Sequence, residues 1–242
     1  EKNGYLLVQS VDNLIGYIRV EDLSEDMDPI EPYLHPFRLV VSDVSKNIMS
    51  HPSNGTLEIE VMMNTVLYSD QKRDGVYHVA LPDGKSGWVS SSGVIELGVI
   101  DQIEKVSTRY FVSSVLSFVN STYLENGISR KGLSTEGLAF VAASVNGVKL
   151  PRTMSGLMES GEEIELRYDE VTGDLLIDSI EAGDLVFLSH PTDPSVKNYE
   201  MAICTDSGVL LMISQSRTTL RLQTFSNNEK LISRITSVRR VF

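Results

Sequence analysis

Gly132-Leu133-Ser134-Thr135-Glu136-Gly137-Leu138 marks the point where this 242-residue chain begins a helix that the rest of its C-terminal half is built around. Ser134 or Thr135 is a capping residue, and Glu136 in a first turn suits the positive end of a helix dipole. Leu138, Val141, Ala142 and Val145 then recur at helical spacing, and Gly147 is a stop signal. Upstream, residues 106–120 also show helical spacing, with Phe111, Val115, Phe118 and Val119 on one broad face. Downstream, residues 163–168, 175–179, 184–188, 201–205 and 209–214 read as strands. Helices first and an antiparallel sheet afterwards is an α+β pattern.

The first hundred residues follow a different rule. Gly4-Tyr5-Leu6-Leu7-Val8 aligns without gaps on Gly75-Val76-Tyr77-His78-Val79, and Gly16-Tyr17-Ile18 on Gly87-Trp88-Val89. Asp12-Asn13 falls on Asp83-Gly84 between them, so each copy reads as a β-hairpin closed by a tight turn. Leu39 to Val44 and Ile59 to Tyr68 supply further strands for the second copy, whereas the first lacks the strands that should precede Gly4. A trimmed chain is the expected reason. Glu25-Asp26-Met27-Asp28-Pro29-Ile30-Glu31-Pro32, with Pro36 following, reads as a solvated linker, and its acids lack the glycine of a calcium loop. Tyr17 and Trp88 are expected in cores rather than as exposed platforms.

Composition narrows the function. A net charge of −12 at pH 7 without a basic cluster argues against nucleic acid. No run of residues is long and apolar enough to span a membrane, and no leader is visible at the first residues. The single cysteine, Cys204, excludes an internal disulfide framework and reads as strand packing. His35, His51, His78 and His190 are scattered, three of them before proline, so no metal site and no cofactor are expected. No nucleophile elbow, P-loop or dinucleotide fingerprint occurs.

Tyr123-Leu124-Glu125-Asn126-Gly127, the Gly132–Leu138 stretch, Leu150-Pro151-Arg152-Thr153, Gly183-Asp184-Leu185-Val186-Phe187 and the Arg239-Arg240-Val241 ending stand in an order and spacing that resembles the NlpC/P60 family of cell-wall cysteine peptidases. The N-terminal hairpins resemble bacterial SH3 (SH3b) modules, in which Gly-Trp-Val follows a turn. The resemblance implies a papain-like α+β domain over residues 99–242, helices on an antiparallel sheet. It is preceded by small all-β barrels: a partial SH3b-like module at 1–24, a linker at 25–37 and an SH3b domain at 38–98.

The family's Asp-Cys-Ser corresponds to Ser134, Thr135 and Glu136, and its His-Val-Gly-Ile strand to Glu200-Met201-Ala202-Ile203. The nucleophilic cysteine is therefore Thr135 and the histidine is Glu200; the third polar residue maps near Met212 or Ile213. A threonine hydroxyl is far less acidic than a thiol, and a carboxylate with a reference pKa of about 4.3 is poorly matched to deprotonating it near neutrality. No enzymatic activity is expected. The resemblance implies a binding protein of the bacterial periplasm or cell surface that holds a peptidoglycan stem peptide or a related ligand. Its degenerate cleft would be formed by Tyr123, Ser134, Thr135, Glu136 and Glu200. The alternatives are an envelope-protein scaffold whose cleft is blocked by Met212 or by an added hairpin over 162–178, and an endopeptidase with relocated catalytic residues.

Overall fold

The computed structural model describes residues 3–10, 14–31, 33–82, 84–98, 102–214 and 216–242. Val11, Pro32, the Asp12-Asn13 turn and Asp83 of the second turn lie outside the described residues. The chain divides into two compact units, Glu1–Gln102 and Ile103–Phe242.

In the first unit, β1 (Tyr5–Gln9) and β2 (Ile15–Arg19) form an antiparallel hairpin. A second sheet joins β3 (Phe37–Val41), β4 (Ser45–Met49), β5 (Leu57–Met62), β6 (Val66–Arg73), β7 (Val76–Ala80), β8 (Ser86–Ser90) and β9 (Val94–Glu96) in the order β5-β4-β8-β7-β6-β3-β9. Leu39, Val41, Ile48, Leu67, Tyr77, Val79, Leu81 and Val89 fill its core. The repeat is real in register: Tyr5 pairs with Arg19 and Leu7 with Tyr17, and their counterparts Val76 and Ser90, His78 and Trp88, pair in the same way.

The aromatic residues depart from expectation. Strand alternation turns Tyr77, Val79 and Val89 inward, so Trp88 lies on the outer face, half-buried, its ring 4.9 Å from that of His78. Tyr17, in the copy without further strands, is 70% exposed. Residues 25–37 hold a 3-10 turn at Asp28–Ile30, and the His35 ring bonds back to the Asp28 carbonyl at 3.0 Å.

The second unit opens with α1 (Thr108–Leu116), then β10 (Ile128–Ser129), β11 (Gly132–Leu133) and α2 (Thr135–Ser144). It continues through α3 (Met154–Met158), β12 (Glu162–Glu163), β13 (Arg167–Tyr168), β14 (Leu175–Leu176) and β15 (Leu185–Leu188). Last come β16 (Glu200–Asp206), β17 (Val209–Ile213), β18 (Leu220–Thr224), α4 (Glu229–Ile232) and β19 (Ile235–Arg240). The main sheet is antiparallel, ordered β12-β19-β15-β16-β17-β18. One face gathers Val186, Leu188, Ala202, Cys204, Leu210 and Met212 with Phe225, Leu231 and Val238. The intervening Leu185, Phe187, Met201, Ile203 and Leu211 are buried as well, and α1 and α2 contact β16.

The 162–178 segment is not one long hairpin. Glu162 and Glu163 bond to β19, and only Arg167–Tyr168 and Leu175–Leu176 pair with each other, before a 3-10 turn at Ile177–Ser179. The reason is packing: Ile164, Leu166, Leu175 and Ile177 lie against the apolar core of the sheet, so their alternation covers that core rather than extending the ladder. β18, β19, α3 and α4 were not legible as elements.

Candidate functional site

The entry to α2 is fixed by backbone packing and a cap. Ser134 Oγ accepts from the Gly137 N–H at 3.0 Å, and the Ser134 N–H donates to the Gly127 carbonyl at 3.0 Å. The same Gly127 carbonyl abuts Gly137, where a Cβ would stand 1.9 Å from it. Ser134 and Thr135 are each 3% exposed, while Glu136 and Tyr123 are half-buried. The capping reading of this stretch is the one its geometry displays. Tyr123 is carried here by a short ladder: it bridges Leu133, and its N–H donates to the Thr218 carbonyl at 2.8 Å. Burial pushes its phenol up, and the Glu136 carboxylate adds to that, against the pull of Arg217.

Glu200, at the start of β16, is not a free carboxylate. It is 12% exposed, and its two oxygens are held by different guanidinium groups: Arg217 at 3.2 Å and Arg234 at 2.5 Å. Arg234 also donates twice to the Ser189 carbonyl, at 2.9 and 2.8 Å. Arg217 lies 5.8 Å from the ring centres of both Tyr123 and Tyr199. Its backbone is left-handed, with φ +55, in the loop between β17 and β18. That conformation costs an ordinary residue about 1–2 kcal/mol. Tyr123, Tyr199 and Glu200 thus gather around Arg217. Thr135 has no hydrogen bond to Glu200 among the described residues.

Arg217 and Arg234 were missed in the sequence. Arg217 stands in a polar run, Ser214 to Thr219, and Arg234 beside an apolar strand; neither position carries a motif. The only available signal was that a carboxylate inside a fold needs a counter-charge.

Glu200, Arg217 and Arg234 border a cavity of about 710 Å³ that Ser189, His190, Met212, Ile213 and Lys230 also line, whereas Tyr123, Ser134, Thr135 and Glu136 are not among its lining residues. Met212 and Ile213 are 3% and 5% exposed, and Met212 belongs to the apolar core, so neither supplies a polar third residue. No cluster able to hold a metal ion occurs among the described residues.

Cys204 is fully buried in the same core, with its thiol donating to the Asp206 carbonyl at 3.3 Å. Burial, and secondarily the Asp184 carboxylate, push the thiol up to about 12. Because the folded value is the raised one, stability tied to the neutral thiol is whole below the ordinary thiol range. It is lost as pH climbs toward 12. A thiol reagent at about pH 8 is therefore expected to leave native Cys204 unlabelled and to modify it fully in denaturant, read by mass spectrometry. Rapid native labelling would contradict the burial.

A structure described as an NlpC/P60 family protein from Bacillus cereus ATCC 10987 superposes with a TM-score of 0.79. The match is 17% identical and covers 99% of this chain and 77% of that one. This is the NlpC/P60 fold. NlpC2 from Trichomonas vaginalis also aligns, at 19% identity over 99% of this chain and 82% of its own, but with a TM-score of only 0.45. No protein-family model matches the sequence, and no curated protein matches it either. Within the NlpC/P60 fold, helices at the start and an antiparallel sheet after them are the arrangement seen here. No helix among the described residues is long and apolar enough to cross a membrane.

Proposed function

We propose that the chain is a catalytically inactive NlpC/P60 homologue of the bacterial cell envelope, carrying SH3b modules, that binds a peptidoglycan stem peptide or a related peptide-like ligand. One observation carries this reading: Glu200, at the position of the family's histidine, is bracketed by Arg217 and Arg234. Both Glu200 oxygens are engaged by guanidinium groups and neither by Thr135, which would need a base poised near neutrality to act as a nucleophile. The cavity of about 710 Å³ beside it supports binding over a purely structural role.

The scaffold reading needs a blocked cleft. Met212 lines the cavity but leaves about 710 Å³ of it open, and the 167–176 hairpin borders α4 through Leu175 and Ile232.

The test is a calorimetric titration with the tripeptide L-Ala-γ-D-Glu-L-Lys, followed by mass spectrometry of the same mixture after prolonged incubation. Saturable binding at micromolar to submillimolar peptide with no cleavage is expected. Cleavage that disappears in Thr135→Ala would overturn the inactive assignment, and the absence of heat at millimolar peptide would overturn the peptide ligand.

A further inference from the structure

The cavity at Glu200 is cationic in a chain of net charge −12. Arg217, Lys230 and Arg234 face one carboxylate among the described residues that line it, and both oxygens of that carboxylate are already taken. We propose that this cavity receives the carboxylate end of its ligand, with any ammonium end directed outward. The inference rests on the peptide-binding reading and names which terminus is recognised.

The geometry gives each cation a place. Arg234, 17% exposed, is anchored from below by the Ser189 carbonyl and Glu200. Arg217, 49% exposed, lies 5.8 Å from each of two tyrosine rings, Tyr123 and Tyr199. Lys230 projects from α4 on the far wall and is exposed. Three cations around one paired carboxylate repel one another, and a second anion relieves that repulsion. Arginine suits the task because its planar fork matches a carboxylate in a way that a point charge does not. Ser189, Ser214 and Asn228 add neutral hydrogen-bonding groups to the wall. A peptide ammonium would meet Glu200 only beside the two guanidinium groups that already engage it, which repel it.

The experiment compares four forms of the tripeptide by calorimetry: unmodified, N-acetylated, with its carboxylates amidated, and with both changes. Amidation is expected to weaken binding about tenfold or more, N-acetylation by less than about twofold, and added salt should weaken only the free-acid forms. Arg217→Ala is expected to weaken the unmodified peptide about tenfold without affecting the amidated one, and Lys230→Ala, on an exposed wall, to act in the same direction more weakly. Binding that survives amidation and is lost on N-acetylation would overturn this inference while leaving the peptide reading intact.

If no form binds, the peptide reading falls, and a titration of the arginine side-chain N–H resonances with glutarate and with inorganic phosphate decides the inference alone. Shifts confined to Arg217 and Arg234 would keep an anion site, with the stronger ligand telling carboxylate from phosphate. No shift at either arginine would overturn it.

Discussion

Arg240→Ala is expected to cost about 3–5 kcal/mol of stability, the largest loss from any single charged residue in the second unit. Asp184, only 1% exposed, begins the turn into β15, and its two oxygens accept from Arg240 Nε and a terminal nitrogen, each at 2.8 Å. The Glu181 N–H donates to the same carboxylate at 2.8 Å, and Arg240 reaches the Ser179 carbonyl at 3.1 Å. Removing the guanidinium leaves the carboxylate buried with one remaining donor, which is why breaking one side of such a pair costs more than the pair is worth. The Asp184→Leu, Arg240→Met double variant is expected to lose clearly less than Arg240→Ala alone. Urea unfolding measures both, and a single-variant loss under about 1 kcal/mol would show the pair to be solvated and dispensable.

Gly137→Ala is expected to be of similar size, about 3 kcal/mol or more, although it adds a single methyl group inside a helix where alanine is intrinsically better. The new Cβ would lie 1.9 Å from the Gly127 carbonyl oxygen and 3.2 Å from Ile128. The obstacle is backbone, so α2 or the 127–132 turn must move by about 1 Å or more. That turn bonds to Ser134, so the cap is disturbed together with the helix entry. Gly173→Ala is the control: its φ is +74 but nothing lies within 4 Å, so only the left-handed penalty of about 1–2 kcal/mol applies. Urea unfolding of the two variants, with amide spectra of residues 124–138, tests the difference. Equal small losses would mean that the 127–137 contact is loose.

Much of this architecture was legible because local signals and tertiary demands agree. Phe111, Val115 and Phe118 repeat at helical spacing, and all three are buried. Ser134 reads as a cap and is one. The 71-residue repeat survives as an identical strand register. Legibility failed where one pattern serves two purposes. The alternation from Glu163 to Tyr168 suggests a strand, yet its apolar members pack onto a sheet to which only Glu162 and Glu163 belong. β18 and β19 were hidden because edge or mixed burial, as in Leu220–Thr224, breaks the alternation that marks a strand. At the site, Tyr123 and Glu200 could be named one by one, but not the arginine that joins them. Arg217 comes from a loop whose left-handed residue is not a glycine, and sequence patterns give no warning of that.

The bracket around Glu200 also constrains how this chain can change. A single exchange of Glu200 for a neutral residue would leave Arg217 and Arg234 confronting each other without the carboxylate that separates them. Loss of Arg234 alone would strand a nearly buried carboxylate on one exposed partner. Positions 200 and 234 are therefore expected to change together, a neutral residue at 200 being tolerated best once Arg234 has left. The carboxylate is thus held in place by the cost of losing Glu200 or Arg234, while Arg217, half exposed, is the partner that can be exchanged cheaply.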